Sequence, residues 1–223
     1  MKLVNPRMNI FCDVKENEIQ VLVIENPKIF VSAISEIKNL IDGNNGEFIL
    51  SDDLSEIEWK KSVEIIIDPW LIDFNSKRIK STMYKTLAEI ANENLYLKYN
   101  SLKTELISYM EEAILSVPYG LEYNTEIEES ALFKFLDLRV QISDENFITR
   151  IIEYINIIAS ICFVKVLFFV NIKSYLTSEE LMEIYKTAKY NKIQLFLIEN
   201  HVSNKIDDEI ITIIDKDNCI IEY

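Results

Sequence analysis

The chain has 223 residues, 49% of them hydrophobic, with 23 basic and 37 acidic side chains and a formal net charge of −14. That length and apolar content can fill one large domain, or one domain with a subdomain inserted into it. The acidity excludes a general electrostatic grip on nucleic acid, and no apolar run reaches the ~18 residues that a membrane span needs.

The chain opens with two short β-rich runs, "MNIFCDV" and "EIQVLVIE", separated by the turn-like "KEN". Asn26-Pro27 then reads as a helix cap followed by proline at the first helical position. In "PKIFVSAISEIKNLI" the apolar residues 30, 34, 37 and 41 share one helical face, and "DGNNG" closes the helix. "EFILS" and "VEIIID" are two further strand candidates, the second stopped by Pro69.

From Ser76 to Ser116 there is no Gly or Pro, and helix formers dominate. Ile79, Met83, Leu87 and Ile90 share one face; Leu102, Leu106, Met110 and Ala113 share another. The register breaks around "NENLYLKYN", which predicts a kink or two helices. Pro118 and Gly120 end this section. "TEIEESALFKFLDLRV" opens with Thr125 and Glu128 at capping-box spacing and predicts a helix. "SDENFITRIIEYINIIASI" predicts a further long one.

The C-terminal part alternates again. "VKVLFFVN" is an apolar run of buried-strand type. Thr177 with Glu180 forms a second capping box, opening a helix to about Tyr190. "KIQLFLIEN" is another buried strand, and "NCIIEY" a last short one. Strand, helix and strand with short joins predict a parallel pair with a crossover helix. The expected fold is therefore α/β: a discontinuous head of residues 1–72 with 163–223, and an α-helical insertion of residues 73–162.

A buried strand ending in a polar residue, as "VLFFVN" does at Asn171, invites a nucleotide-site reading. A phosphate loop needs GxxxxGK[ST], its glycines letting backbone N–H groups close around phosphate. The chain has only Gly43, Gly46 and Gly120, and Glu47 stands where a lysine is wanted. Asn171 then closes a strand and bonds turn backbone. Cys12, Cys162 and Cys219 form no CxxC pair, and His201 is the only histidine. No cysteine–histidine metal site or Ser-His-Asp triad is spelled out.

Charge is unevenly spread. Residues 76–104 carry 6 basic and 2 acidic side chains, and residues 105–133 carry 7 acidic and no basic ones. A basic stretch thus adjoins an acidic one. The helical region also repeats apolar residues on more than one face, Leu95, Tyr96, Leu97 and Tyr99 among them, a surface that partner chains would cover.

"LFFVNIKSYLTSEEL", then "IQLFLIEN", then "IIDKDNCII" resemble the accessory spacer-acquisition proteins of type II-A CRISPR systems. "VLVIENPKIFVSAISEI", "IIIDPWLIDFNSKRI", "KTELISYMEE" and "LEYNTEIEESALFKFLDLRV" agree with that family in the same order. The resemblance implies a P-loop-ATPase-like head without a functional phosphate loop, a helical leg and a homotetrameric ring. It also implies calcium binding, sequence-independent binding of double-stranded DNA and its ends, and work beside other CRISPR adaptation proteins. A non-enzymatic role is expected with it; the lack of a span-length apolar run, and of a continuous apolar stretch of signal-peptide type in "MKLVNPRMNIF", predicts a soluble, cytoplasmic protein with no membrane association.

In the segment matching the family's calcium site, Glu122 matches an acidic position, and Glu126, Glu128 and Glu129 are the further carboxylates available as ligands. Asn124 stands where relatives tend to have Asp, Thr125 is also neutral, and "ILSVPYG" is almost uncharged where relatives are rich in carboxylates. Lys134 and Arg139 match basic positions and stand as DNA contacts, joined by Lys77, Arg78, Lys80 and Lys85 from the basic stretch. Two other readings stay open on residues alone: an acidic protein-interaction scaffold without DNA binding, and a P-loop-type NTPase.

Overall fold

The computed structural model describes residues 1–52, 55–142 and 146–222. The chain divides into two compact units, Met1–Phe74 with Ser143–Tyr223, and Asn75–Ile142. The first carries 15 basic and 27 acidic side chains, the second 8 and 10. Most of the net negative charge therefore belongs to the first.

In the first unit, β1 (Lys2–Asn5), β2 (Ile10–Asp13), β4 (Ile49–Asp52) and β5 (Ser55–Glu56) form an antiparallel sheet in the order β2-β1-β4-β5. A larger sheet joins β3 (Ile19–Ile24), β6 (Val63–Ile66), β7 (Val166–Val170), β8 (Gln194–Glu199), β9 (Glu209–Ile214) and β10 (Ile220–Glu222) in the order β10-β9-β3-β8-β7-β6. All its pairings are parallel except β10 on β9. Strands buried on both faces read as continuous apolar runs, and β3 and β7 are buried along their whole length.

Helix α1 (Pro27–Ile41) starts as the sequence predicts: the Asn26 side chain accepts from the N–H groups of Lys28 and Ile29, with Pro27 at the first position. Its buried residues Ala33 and Ile37 join one core with Leu3, Ile10 and Leu50 of the small sheet and Leu22, Ile24, Phe168 and Phe196 of the large one. Trp59, which opens the short α2 (Trp59–Ser62), stacks on Phe168, and Phe168 stacks on Phe196, at centroid distances of 6.0 and 5.0 Å. Burying each such ring stabilises the fold by about 2–3 kcal/mol.

The crossover between β7 and β8 is α6 (Ser178–Tyr190), and its capping box is formed: Glu180 N–H donates to the Thr177 hydroxyl, and Thr177 N–H to the Glu180 carboxylate. Helix α5 (Phe147–Ser160) buries Ile151, Tyr154, Ile155 and Ile158 and packs with α6. The sequence assigned residues 143–162 to the insertion, whereas α5 belongs to the first unit, because its apolar stripe is buried there. The start expected at "SDE" lies outside the described residues, as does the final Tyr223 of "NCIIEY".

The second unit holds α3 (Lys77–Leu115) and α4 (Glu129–Phe135). The predicted break in α3 is absent: 39 residues run as one helix. With no Gly or Pro, nothing interrupts its hydrogen-bond ladder, and the register change moves the apolar face without ending the helix. At about 1.5 Å per residue it spans roughly 58 Å. The other helix is shorter than its pattern. Thr125 does not cap it; Glu128 occupies the cap position without a side-chain bond. It ends where Asp137 turns left-handed at φ 48°, with Asp137 N–H bonded to Lys134 O and Leu138 N–H to Phe133 O, a Schellman closure.

Candidate nucleic-acid interface

In open α/β sheets, ligands sit beyond the carboxyl ends of the parallel strands. Here that edge is closed locally. Only Glu25 and Asn26 connect β3 to α1. The Asn26 side chain occupies two of the first helical N–H groups, and Pro27 lacks one. Asn171, at φ 52°, accepts from Asn200 N–H at 3.0 Å and donates its own N–H to Ile198 O, so it ties two loops together. A cleft of about 620 Å³ lies at the opposite, amino edge, beside Ile19 and Gln194, and is lined by both signs of charge, including Lys15, Lys189, Lys192, Glu16 and Asp52.

The basic residues predicted as DNA contacts lie in the second unit. Ser76 caps α3 by accepting from Ile79 N–H, so Lys77, Arg78 and Lys80 fall in the first turn. The segment after α4 returns along this turn. Tyr84 donates its hydroxyl to Leu138 O at 2.7 Å, and the Asn75 side chain pairs with both backbone groups of Val140 at 2.8 and 3.2 Å. Two stretches about sixty residues apart in sequence thus meet.

At the meeting point Lys80 Nζ lies 2.9 Å from Asp137 Oδ1, and an Arg139 guanidinium nitrogen lies 2.8 Å from Asp137 Oδ2. The Lys80 hydrogen bond, with the Arg139 charge beside it, holds the Asp137 carboxyl below the usual carboxylate range; the same bond raises Lys80. Lys134, exposed in the last turn of α4, bonds Asp137 through its backbone, and Lys77 precedes Lys80 by one helical turn. Lys80 and Arg139 therefore meet at Asp137, with Lys77 one turn before Lys80 and Lys134 three residues before Asp137. Arg78 and Lys85 fall about 160° and 140° around the helix from Lys80, on another face of α3. Asp137 was missed in sequence; its signal is that it is the single acid between Ser130 and Ile142.

The carboxylates predicted for calcium are not brought together. Glu122 and Glu126 are exposed in irregular chain, where Glu126 N–H donates to Asn124 Oδ1. Glu128 accepts from the Ser130 hydroxyl at 3.3 Å, and Glu129 is the first residue of α4. Among the described residues, no three Asp, Glu, His or Cys gather as metal ligands. Calcium takes six to eight oxygens, so these residues as arranged in one chain do not make its cage. Among the described residues, no helix is long and apolar enough to cross a membrane.

Fold and site together define a mixed α/β protein whose helical unit gathers cations around one carboxylate. The family model "CRISPR-associated protein (Cas_Csn2)" matches residues 40–218, and the chain belongs to that family. Among curated proteins none matched. Among solved structures it is similar to the ATP-binding cassette of an ABC transporter in its ADP conformation, at 13% identity and TM-score 0.43, covering 92% of this chain and 79% of that one. It is also similar to a bacterial Atm1-family ABC exporter with ATP bound, at 12% identity and TM-score 0.41, covering 93% of this chain and 33% of that one.

Proposed function

We propose that this CRISPR-associated protein is a non-enzymatic, cytoplasmic binder of double-stranded DNA. In this reading it assembles as a homotetrameric ring and assists spacer acquisition beside other CRISPR adaptation proteins. The observation that carries the reading is the meeting of Lys80 and Arg139 at Asp137 on the second unit, with Lys77 and Lys134 adjacent along the chain, in a protein that is acidic as a whole. A ring repeats this modest patch in every copy, so the charges converge on one duplex. Ten of the protein's Asp and Glu side chains lie on that unit and the rest on the other. Binding then depends on the local patch and not on the net charge.

Lys134→Glu with Arg139→Glu is expected to weaken binding at least about tenfold at low salt, alike for every duplex sequence, because bonds to phosphate carry no base information. The log–log salt slope is expected to shrink by about 0.9 for each phosphate that the variant no longer neutralises. Fluorescence anisotropy across a salt series, on linear and on covalently closed duplexes, measures both and tests for a preference for ends. If the assembled wild type fails to bind any duplex at low salt, the DNA reading falls and the protein-interaction scaffold replaces it.

Assembly has its own support. Leu97, Leu115 and Phe135 are 81, 85 and 85% exposed, and Tyr96 and Tyr109 are exposed on the same unit. Further copies of the chain are the proposed cover for these side chains. Light scattering is expected to give a tetramer mass; a monomer mass at every protein concentration, with and without calcium, would sink the ring. The calcium arm tests the carried-over ion directly, since a cage made by several chains appears only as a calcium-dependent change in mass or melting temperature.

A further inference from the structure

Six cations, Lys77, Arg78, Lys80, Lys85, Lys134 and Arg139, lie in two stretches, Ser76–Ala88 and Ser130–Ile142, that contain one acid between them, Asp137. That acid sits where the two stretches meet. Each of its oxygens holds a different cation, Oδ1 with Lys80 at 2.9 Å and Oδ2 with Arg139 at 2.8 Å. One anion with two oxygens bridging a lysine and an arginine is also how a phosphate diester would sit there.

The carboxylate is not what shapes the loop. The left-handed Asp137 backbone is closed by the bonds to Lys134 O and Phe133 O. Beyond it, Tyr84 holds Leu138 and Asn75 holds Val140. The closure asks only for a residue that tolerates positive φ, which Gly and Asn supply without charge. Asp137 and Arg139 are also largely exposed, at 54 and 66%, and exposed ion pairs contribute little to stability. The carboxylate's charge therefore contributes little to the fold.

Resting on the DNA-binding reading, we infer that Asp137 is a built-in stand-in for phosphate, one that occupies the seat between Lys80 and Arg139 and holds DNA affinity down. A duplex must displace it to engage these cations. The tethered carboxylate also replaces counterions that binding would otherwise release, so it flattens the salt dependence.

The test is Asp137→Asn in the full chain, by anisotropy with a duplex oligonucleotide across a salt series. The variant is expected to bind about tenfold tighter at low salt, with a log–log slope steeper by about 0.9 for each cation freed. Lys80→Gln added to it is expected to remove part of the gain. Unchanged or weaker binding by Asp137→Asn, while the wild type binds, overturns the inference and makes Asp137 a positioning residue or a bystander; the DNA reading then stands. Binding by neither protein removes both. Should Asp137→Asn lower the melting temperature, Asp137→Gly, which accepts the same backbone, gives the same readout.

Discussion

Lys173→Met is expected to destabilise the protein by about 3–5 kcal/mol, the range for removing one partner of a buried ion pair. The Lys173 and Glu209 side chains are 4 and 0% exposed, and Lys173 Nζ lies 2.9 Å from both Glu209 oxygens. Lys173 also donates to Asn204 O, while Glu209 accepts from the Tyr185 hydroxyl at 2.6 Å and from Ile206 N–H at 2.9 Å. The turn after β7, helix α6, the loop before β9 and the first residue of β9 are thereby joined through one carboxylate. The pair as a whole contributes little net energy, because desolvating two ions offsets their attraction. Deleting the ammonium alone leaves a buried carboxylate with no counter-charge at its oxygens. The double change Lys173→Met with Glu209→Leu is expected to recover a large part of the loss. Urea denaturation of the three proteins measures this; a single-variant loss under about 1 kcal/mol would show that water reaches Glu209 on opening and that the network is not closed.

What was legible in the sequence follows from how local each cause is. The Asn26-Pro27 start and the Thr177–Glu180 box are short-range chemistry, and both form as read. The β7–α6–β8 crossover follows from short joins and apolar runs, and its pairing is parallel. Thr125 with Glu128 has the same spacing as the working box yet caps nothing, because α4 begins after it. Spacing alone does not say whether an apolar face behind the cap is buried. The strands β1 and β9 escaped because each is completed by distant partners: β1 pairs β2 and β4, and β9 pairs β3. The buried Lys173–Glu209 pair escaped for the same reason, though a carboxylate opening the apolar run "EIITII" was a visible signal. Of the basic residues, the sequence supplied the set, and the helical angle between Lys80 and Lys85 divides it.

Glu199→Gln is expected to remove a pH dependence from the folding stability. Glu199 ends β8 at 1% exposure. Its Oε1 accepts from Lys173 N–H at 3.2 Å, and its Oε2 is buried with no hydrogen-bond partner among the described residues. Burial pushes its carboxyl up from the usual 4.5 to about 7; the Lys173 N–H and charge oppose this, and the Glu209 charge adds to it. The folded state therefore holds this proton more tightly than the unfolded chain does. Between about pH 4.5 and 7 it binds more protons, so stability falls as pH rises through that window and is lowest above it. At one pKa unit per 1.36 kcal/mol, the contribution present below pH 4.5 and absent above pH 7 is roughly 3 kcal/mol. Glutamine has the same shape, keeps the oxygen that accepts from Lys173, and never ionises. The variant is expected to match the wild type within about 1 kcal/mol at pH 5 and to exceed it by roughly 2–3 kcal/mol at pH 8. The difference between the two proteins is the readout, because every other titrating group cancels in it. Denaturation at pH 5, 6, 7 and 8 supplies the curve. A difference that stays constant across it would show Glu199 ionised in the folded protein at pH 5, and the buried carboxyl would then be stabilised by a group that its present partners do not include.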